Sequence, residues 1–305
     1  MIGKTEVAGA TGAASPTVAE ALTGVQTALE RKGVRDAPRW AETMVAFVRD
    51  VPHRDLVRQG RQVLSEAQTE RLRDLLEQVT PDAPVAYLIE RAPFLDWDFE
   101  VTRDTLICKP DTELFVKIVL SELEGEPLPP NLHVLELCTG SGCVAISFAH
   151  HLPGSRVVAT DLSPDALTVA RRNVARFGME DRIALGQGDL FAPVRALMGD
   201  RRFDLIVSNP PYIPTEDIPA MGRHVAEHEP RLALDGGADG LDPHRRILTE
   251  AAEYLAPGGR LFLEHEHYHG ESARALANQF PAYEDVQTFR DANGRDRALY
   301  ARRPR

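Results

Sequence analysis

Asn209-Pro210-Pro211-Tyr212 is the stretch whose residue types and order could do chemistry, because it sets two acceptors and an aromatic ring side by side. An amide or aryl-amine NH2 is a poor nucleophile, its lone pair being delocalised. A catalyst therefore has to orient that nitrogen and draw its hydrogens away from the electrophile. The side-chain oxygen of Asn209 and the backbone carbonyl of Pro210 are both acceptors, and the two prolines fix φ so that the carbonyl direction is set. Two N–H bonds held this way leave the lone pair facing a methyl donor, while Tyr212 offers a ring for a planar group to stack on. No general base is obviously required, and orientation supplies most of the acceleration, with a ceiling of roughly 7–11 kcal/mol. Asn-Pro and Pro-Pro are also ordinary turn signals, so the context has to decide.

The apolar run from Asp204 through Val207 to Ser208 reads as a buried strand that the prolines cannot extend. Asn209 then stands at a strand's carboxyl end, where open α/β sheets put their ligands. Upstream, His133 to Leu137 reads as a strand, followed by Cys138-Thr139-Gly140-Ser141-Gly142 and a helix from Cys143. A glycine-rich turn between strand and helix lets backbone approach a nucleotide-like ligand, although Ala145 occupies the third glycine of the full dinucleotide fingerprint. The next strand, Arg156 to Thr160, ends in Asp161, at the distance beyond the turn where an acid accepts hydrogen bonds from ribose hydroxyls. Ser163-Pro164 then opens a helix. After a third strand, Arg182 to Gln187, the carboxylate of Asp189 could meet an adenine amino group and Leu190 could cover the ring face.

Beyond Tyr212 a long loop runs to Gly240, carrying Glu229-Pro230-Arg231 and Asp235-Gly236-Gly237. Loops of that length usually carry function or move. A helix from Asp242, a strand from Arg260 to Glu264 and an antiparallel pair, Ala282 to Phe289 with Arg297 to Ala301, complete the pattern. Strand–helix alternation with a terminal hairpin predicts a doubly wound α/β sheet. Before it, helical periodicity runs from Thr17 to about Val79, with Val18, Leu22, Val25 and Leu29 on one face. This bundle carries no chemistry; it either docks a substrate or stabilises the fold. The expected division is a loose start over 1–16, a helical domain over 17–83, a hairpin and linker over 84–130 and the α/β domain over 131–305.

The 305 residues include 46 acids against 35 Lys and Arg, for a net charge of −11, and no positive footprint for gripping nucleic acid is evident. The field favours a basic protein partner instead. Cys108, Cys138 and Cys143 have neither disulfide-framework nor zinc spacing. No apolar run approaches a bilayer span and residues 1–15 lack the apolar centre of a signal peptide, so no membrane and a cytoplasmic location are expected.

Leu106 to Glu113, Glu136 to Gly142, Asp161, Asn209 to Tyr212, Glu229-Pro230-Arg231 through Leu241, and Asn293 to Arg297 together resemble the S-adenosylmethionine-dependent methyltransferases that modify the side-chain amide of protein glutamines. The tetrapeptide alone also occurs in amino-methylating enzymes of nucleic acids. In combination with Lys109-Pro110-Asp111-Thr112-Glu113 it is specific to the glutamine group. The resemblance implies a seven-stranded, Rossmann-like methyltransferase sheet behind a helical substrate-binding domain. It implies S-adenosyl-L-methionine as cofactor, held by Glu136, Cys138, Thr139, Gly140, Ser141, Gly142, Asp161, Leu162, Asp189, Leu190 and Asn209. The acceptor would be held by Asn209, Pro210, Pro211 and Tyr212, with Lys109 and Glu113 beside them. Implied targets are the Gly-Gly-Gln loop of peptide-chain release factors, in translation termination, or a glutamine of a large-subunit ribosomal protein.

Three departures bear on the acceptor. Cys108-Lys109 stands where the release-factor type has Pro-Arg, and Lys does not reproduce a bidentate Arg contact. The turn from Cys138 to Cys143 is closer to the ribosomal-protein type. Glu264-His265-Glu266-His267-Tyr268-His269 replaces an acid, an aliphatic residue and a glycine; if the strand continued, its three histidines would point one way, as in a metal site, a pocket wall or an exposed strand end. A small-molecule amine or amide, or less favourably a nucleic-acid amino group, stays open as the alternative acceptor.

Overall fold

A computed structural model describes residues 15–125 and 128–305; most of the expected loose start therefore lies outside the described residues. Two compact units emerge, one of residues up to Arg103 together with 222–228, the other of 104–221 and 229–305. The division at Arg103/Asp104 falls inside the expected hairpin and linker over 84–130.

The N-terminal unit contains α1 (Val18–Arg31), α2 (Ala37–Arg49), α3 (Glu66–Gln78) and α4 (Val85–Ile89), followed by the hairpin β1 (Arg91–Phe94) and β2 (Trp97–Glu100). Reciprocal capping boxes, Thr17 with Glu20 and Ser65 with Gln68, satisfy the first amides of α1 and α3. The apolar stripe of α1 buries Val18, Ala21, Val25 and Leu29 against Met44, Val45, Leu72 and Leu76. The hairpin turns an edge-to-face pair, Phe94 and Phe99 at 5.9 Å, inward. In the same unit Arg223 pairs with Asp82 at 2.7 Å, which brings 222–228 to the helices.

The second unit contains α5 (Pro110–Glu124), β3 (His133–Leu137), α6 (Cys143–His151), β4 (Arg156–Asp161), α7 (Pro164–Arg176), β5 (Ile183–Gln187), α8 (Val194–Met198) and β6 (Phe203–Ser208). After the short α9 (Arg223–Ala226) of the first unit come α10 (Asp242–Tyr254), β7 (Leu255–Glu264), α11 (Gly270–Ala277), β8 (Glu284–Arg290) and β9 (Asp296–Arg302). The sheet order is β5-β4-β3-β6-β7-β9-β8, parallel from β5 to β7 and antiparallel thereafter. This is the doubly wound, seven-stranded arrangement expected. Strands buried on both faces read as apolar runs. Leu135, Ile206, Leu261 and Leu263 face α10 and α11 in one core cluster, each almost wholly excluded from water, and burial of such a side chain is worth roughly 1.5–3 kcal/mol.

The chain leaves β3 to build β4 and β5 on one side, then returns to build β6 and β7 on the other. Between β3 and β6 the winding therefore reverses, and the crevice at their carboxyl ends is where such sheets bind ligands. β7 begins at Leu255, earlier than the strand at Arg260 read from sequence, because Pro257-Gly258-Gly259 is taken up as an irregularity in the pairing with β6.

Candidate active site

Two loops leave the sheet at the switch point. After β3, Cys138 takes φ of 60°, and Gly140 and Gly142 take 55° and 82°, reversing the chain into α6. The turn is held from four sides: Thr139 N donates to Thr160 O, the Thr139 hydroxyl to Glu136 Oε2 at 2.5 Å, Asn173 Nδ2 to Ser141 O at 2.9 Å, and Gly140 N to Asp161 Oδ2 at 2.8 Å. Glu136 is buried, and burial lifts its carboxyl to about 8. It supports the turn from inside the sheet through its bond from Thr139. Burial likewise pushes the Cys138 thiol to about 12, so it stays protonated.

Asp161 ends β4 beside the turn. Its oxygens accept from Gly140 N and Ser163 N, and burial raises its carboxyl above the usual range. A carboxylate has about four lone-pair positions, so two amides leave it able to accept from hydroxyls as well. The neighbouring Leu162 is 46% exposed. Leu190, read from sequence as the cover of a ring face, takes φ of 48° and packs against the core, while its carbonyl accepts from Thr160 Oγ1. Asp189 pairs with Arg246 at 2.8 Å, both side chains about half exposed, an arrangement worth at most about 1 kcal/mol. A Cβ at Gly140 would meet no atom within 4 Å, so the outer face of the turn is open. These residues fit a nucleoside-bearing cofactor.

After β6, Asn209 emerges half-buried. Its Nδ2 donates to the Thr112 hydroxyl at 3.0 Å, and that hydroxyl donates to Glu264 Oε1 at 3.1 Å. The Asn209 amide hydrogens are thereby directed at α5, leaving Oδ1 to accept. Glu264 is buried at the end of β7, lifted to about 8 by that burial, and its Oε2 has no partner among the described residues. Its backbone carbonyl lies 3.0 Å from Nε2 of His244, a ring kept neutral by burial, which takes it down to about 3. Burial of the Tyr212 phenol end, with Glu264, Glu266 and Asp111 nearby, keeps that hydroxyl protonated.

The loop beyond Tyr212 folds back on itself and is braced by His269. Ile213 N donates to Leu234 O and Gly236 N to Ile213 O, and His269 Nε2 lies 3.1 Å from Tyr212 O. Gly240, at φ of 77°, passes so close that a Cβ there would lie 2.6 Å from His269 Nε2 and against Tyr212 O.

Not every residue read as substrate-binding faces the cleft. Lys109 is tied to Glu229, Nζ to Oε1 at 2.5 Å, so it anchors the approach to α5 instead of reaching toward an acceptor. Pro110 opens α5, where its missing N–H costs nothing. Glu113, half-buried, lies one residue beyond Thr112 in the first turn of α5. Pro211 and Tyr212 are partly exposed. The histidines do not line up on a strand: β7 stops at Glu264, and His267–His269 form a 3-10 turn. Thr112 and Glu264 are the residues that sequence reasoning did not assign to the site; their signal was their position beside Asp111 and at a strand's carboxyl end.

Residues 20–89 match the family described as PrmC N-terminal domain, and residues 134–228 the family described as Methyltransferase domain. A structure of a T. thermophilus 16S rRNA N2 methyltransferase bound to AdoMet and guanosine superposes with TM-score 0.50 at 22% identity, over 70% of this chain and 50% of that one, which establishes the fold. A ribosomal protein uL3 glutamine methyltransferase of Bradyrhizobium diazoefficiens is 40% identical over 66% of this chain and 63% of its own. A release factor glutamine methyltransferase of Moorella thermoacetica is 39% identical over 94% of this chain and 99% of its own. With that identity sustained across both units, the chain belongs to the release factor glutamine methyltransferase family.

Proposed function

We propose that this protein transfers a methyl group from S-adenosyl-L-methionine to the side-chain amide nitrogen of a glutamine in a protein, and that the acceptor is the Gly-Gly-Gln loop of a peptide-chain release factor. The observation that carries the reading is the orientation of Asn209: with its NH2 bound to Thr112, its oxygen is the atom left to meet an incoming amide. Family membership over nearly the full length supplies the substrate class.

The cofactor, when bound, supplies an electrophilic methyl group on a sulfonium. The chain does the rest by placement, and the one proton that the nitrogen sheds on methylation leaves to solvent. Asn209 Oδ1 and the Pro210 carbonyl accept the two N–H bonds of the glutamine amide, which orients the nitrogen and draws electron density toward it. Tyr212 packs on the planar amide and stays neutral, so it adds no charge to the face it covers. The turn from Gly140 to Gly142, open at Gly140, and the carboxylate of Asp161 receive the nucleoside part, beside the exposed Leu162. Holding both reactants on adjacent strand ends makes the transfer effectively intramolecular.

The test is incubation with methyl-labelled cofactor, purified release factor and purified ribosomal proteins, each unmethylated, with tryptic peptides read by mass spectrometry. One added methyl on the Gly-Gly-Gln glutamine is the expected result. Label confined to a ribosomal-protein glutamine would move the acceptor, and label on neither, with turnover on a free amine, would remove the protein substrate altogether.

A further inference from the structure

We propose that Thr112 and Glu264 are positioning residues that fix which end of the Asn209 amide faces the acceptor. The inference rests on the function proposed above and concerns how its central residue is kept in the productive orientation.

An asparagine amide is nearly symmetric in shape and opposite in polarity at its two ends. Turned one way, Asn209 offers an oxygen that accepts an N–H from a substrate amide. Turned the other way, it offers an NH2 that repels the same N–H. Nothing in the Pro-Pro backbone selects between them. The selection comes from α5 and β7: the Thr112 hydroxyl has one proton, and that proton goes to Glu264 Oε1 at 3.1 Å, the oxygen of the neutral carboxyl that carries no proton of its own. The oxygen of Thr112 is then an acceptor toward Asn209, and only the Nδ2 end satisfies it, at 3.0 Å.

Both supports are sealed off, Thr112 at 4% and Glu264 at 1% exposure, so water does not substitute for either partner. The two elements that carry Glu264 and Thr112 are each held by other bonds, although Thr112 is the one hydrogen-bond partner of the carboxyl itself among the described residues. The Glu264 backbone carbonyl meets the His244 ring at 3.0 Å, and the first turn of α5 is held by Arg297, which reaches Asp111 at 3.2 Å and Glu266 at 3.4 Å. The polarity of the site is therefore set by proton order along Glu264, Thr112 and Asn209, residues from three separate elements.

The experiment compares Thr112→Val with Thr112→Ser, and Glu264→Leu with Glu264→Gln, in the full-length protein labelled with 15N. The side-chain NH2 signal of Asn209 is assigned by its disappearance in Asn209→Asp. Wild type, Thr112→Ser and Glu264→Gln should each show one Asn209 Nδ2 proton protected from exchange; Thr112→Val and Glu264→Leu should lose it. Turnover should follow the same order, with kcat falling roughly 10- to 100-fold in Thr112→Val and mostly recovering in Thr112→Ser, while calorimetric affinity for S-adenosylmethionine stays at the wild-type level. A packing role predicts the reverse, since Val preserves the shape of Thr and Ser does not. Equal protection and equal kcat in Thr112→Val and wild type, or a Ser variant worse than Val, would overturn the proposal. If the wild-type protein leaves release-factor glutamine unmodified, the proposed function fails, and the exchange measurement still judges this inference separately.

Discussion

Lys109 and Glu229, 120 residues apart in the chain, meet with Nζ and Oε1 at 2.5 Å, and the second oxygen of the same carboxylate accepts from Ile107 N at 3.2 Å. The acid side chain is 1% exposed and the lysine 32%, so the pair pins the start of α5 to the long loop that follows Tyr212. Glu229→Gln keeps the volume but removes the charge and weakens both bonds. It should cost about 1.5–3 kcal/mol in urea denaturation, the range for hydrogen bonds to charged groups, whereas Lys109→Arg, at the exposed end, should cost less.

Asn209→Ala tests the reactive end of β6. The substitution deletes the acceptor oxygen without touching the glycine-rich turn or Asp161. Turnover should fall by roughly 10²–10³-fold, by analogy with removal of a single transition-state hydrogen-bond partner, and calorimetric binding of S-adenosylmethionine should persist. Residual turnover near the wild-type rate would take the assigned role away from Asn209.

Glu264 makes stability depend on pH in a definite direction. Burial lifts its carboxyl to about 8 in the fold; Asp111 and Glu266 push the same way, while the Thr112 hydroxyl and Arg297 oppose. The unfolded chain releases this proton near the ordinary carboxyl range and the folded chain holds it, so the native state binds more protons between about pH 4.5 and 8. Its contribution is complete at the acid end of that window and is lost as pH rises through it, at roughly 1 kcal/mol per pH unit. Glu264→Gln cannot ionise. The difference in unfolding free energy between this variant and wild type should therefore shift in the variant's favour as pH rises from 5 to 8, and a flat difference would place the carboxyl's titration elsewhere.

The strand ends were legible because they are local. An apolar run halted by two prolines placed Asn209 at the end of β6, and a second run closed by glycines placed the turn after β3. The contacts that orient these residues were not local. Thr112 and Asn209 are separated by 97 positions and Thr112 and Glu264 by 152, and no periodicity within any one element records such a meeting. The same reason hid Glu229 as the partner of Lys109, and hid 222–228, which reads as part of a loop yet belongs to the N-terminal unit. The backbone turn at Leu190 was invisible for a different reason: a positive φ at a leucine has no signature in residue type.

Gly240 carries the last expectation. Its φ of 77° is the left-handed region, where a side chain costs about 1–2 kcal/mol, and a Cβ would also stand against Tyr212 O and 2.6 Å from His269 Nε2. Both obstacles are held, the carbonyl by the loop that pairs Ile213 with Asp235 and the ring by its own bond to Tyr212. Relief in Gly240→Ala therefore has to come from moving Tyr212 away from the cleft. The variant should lose kcat by more than its loss of thermal stability would suggest, because a displacement of about 1 Å at a positioning residue can cost 100-fold in rate. His269→Ala in the same background removes one of the two obstacles and should restore part of the turnover; no recovery would mean that the strain is taken up away from Tyr212.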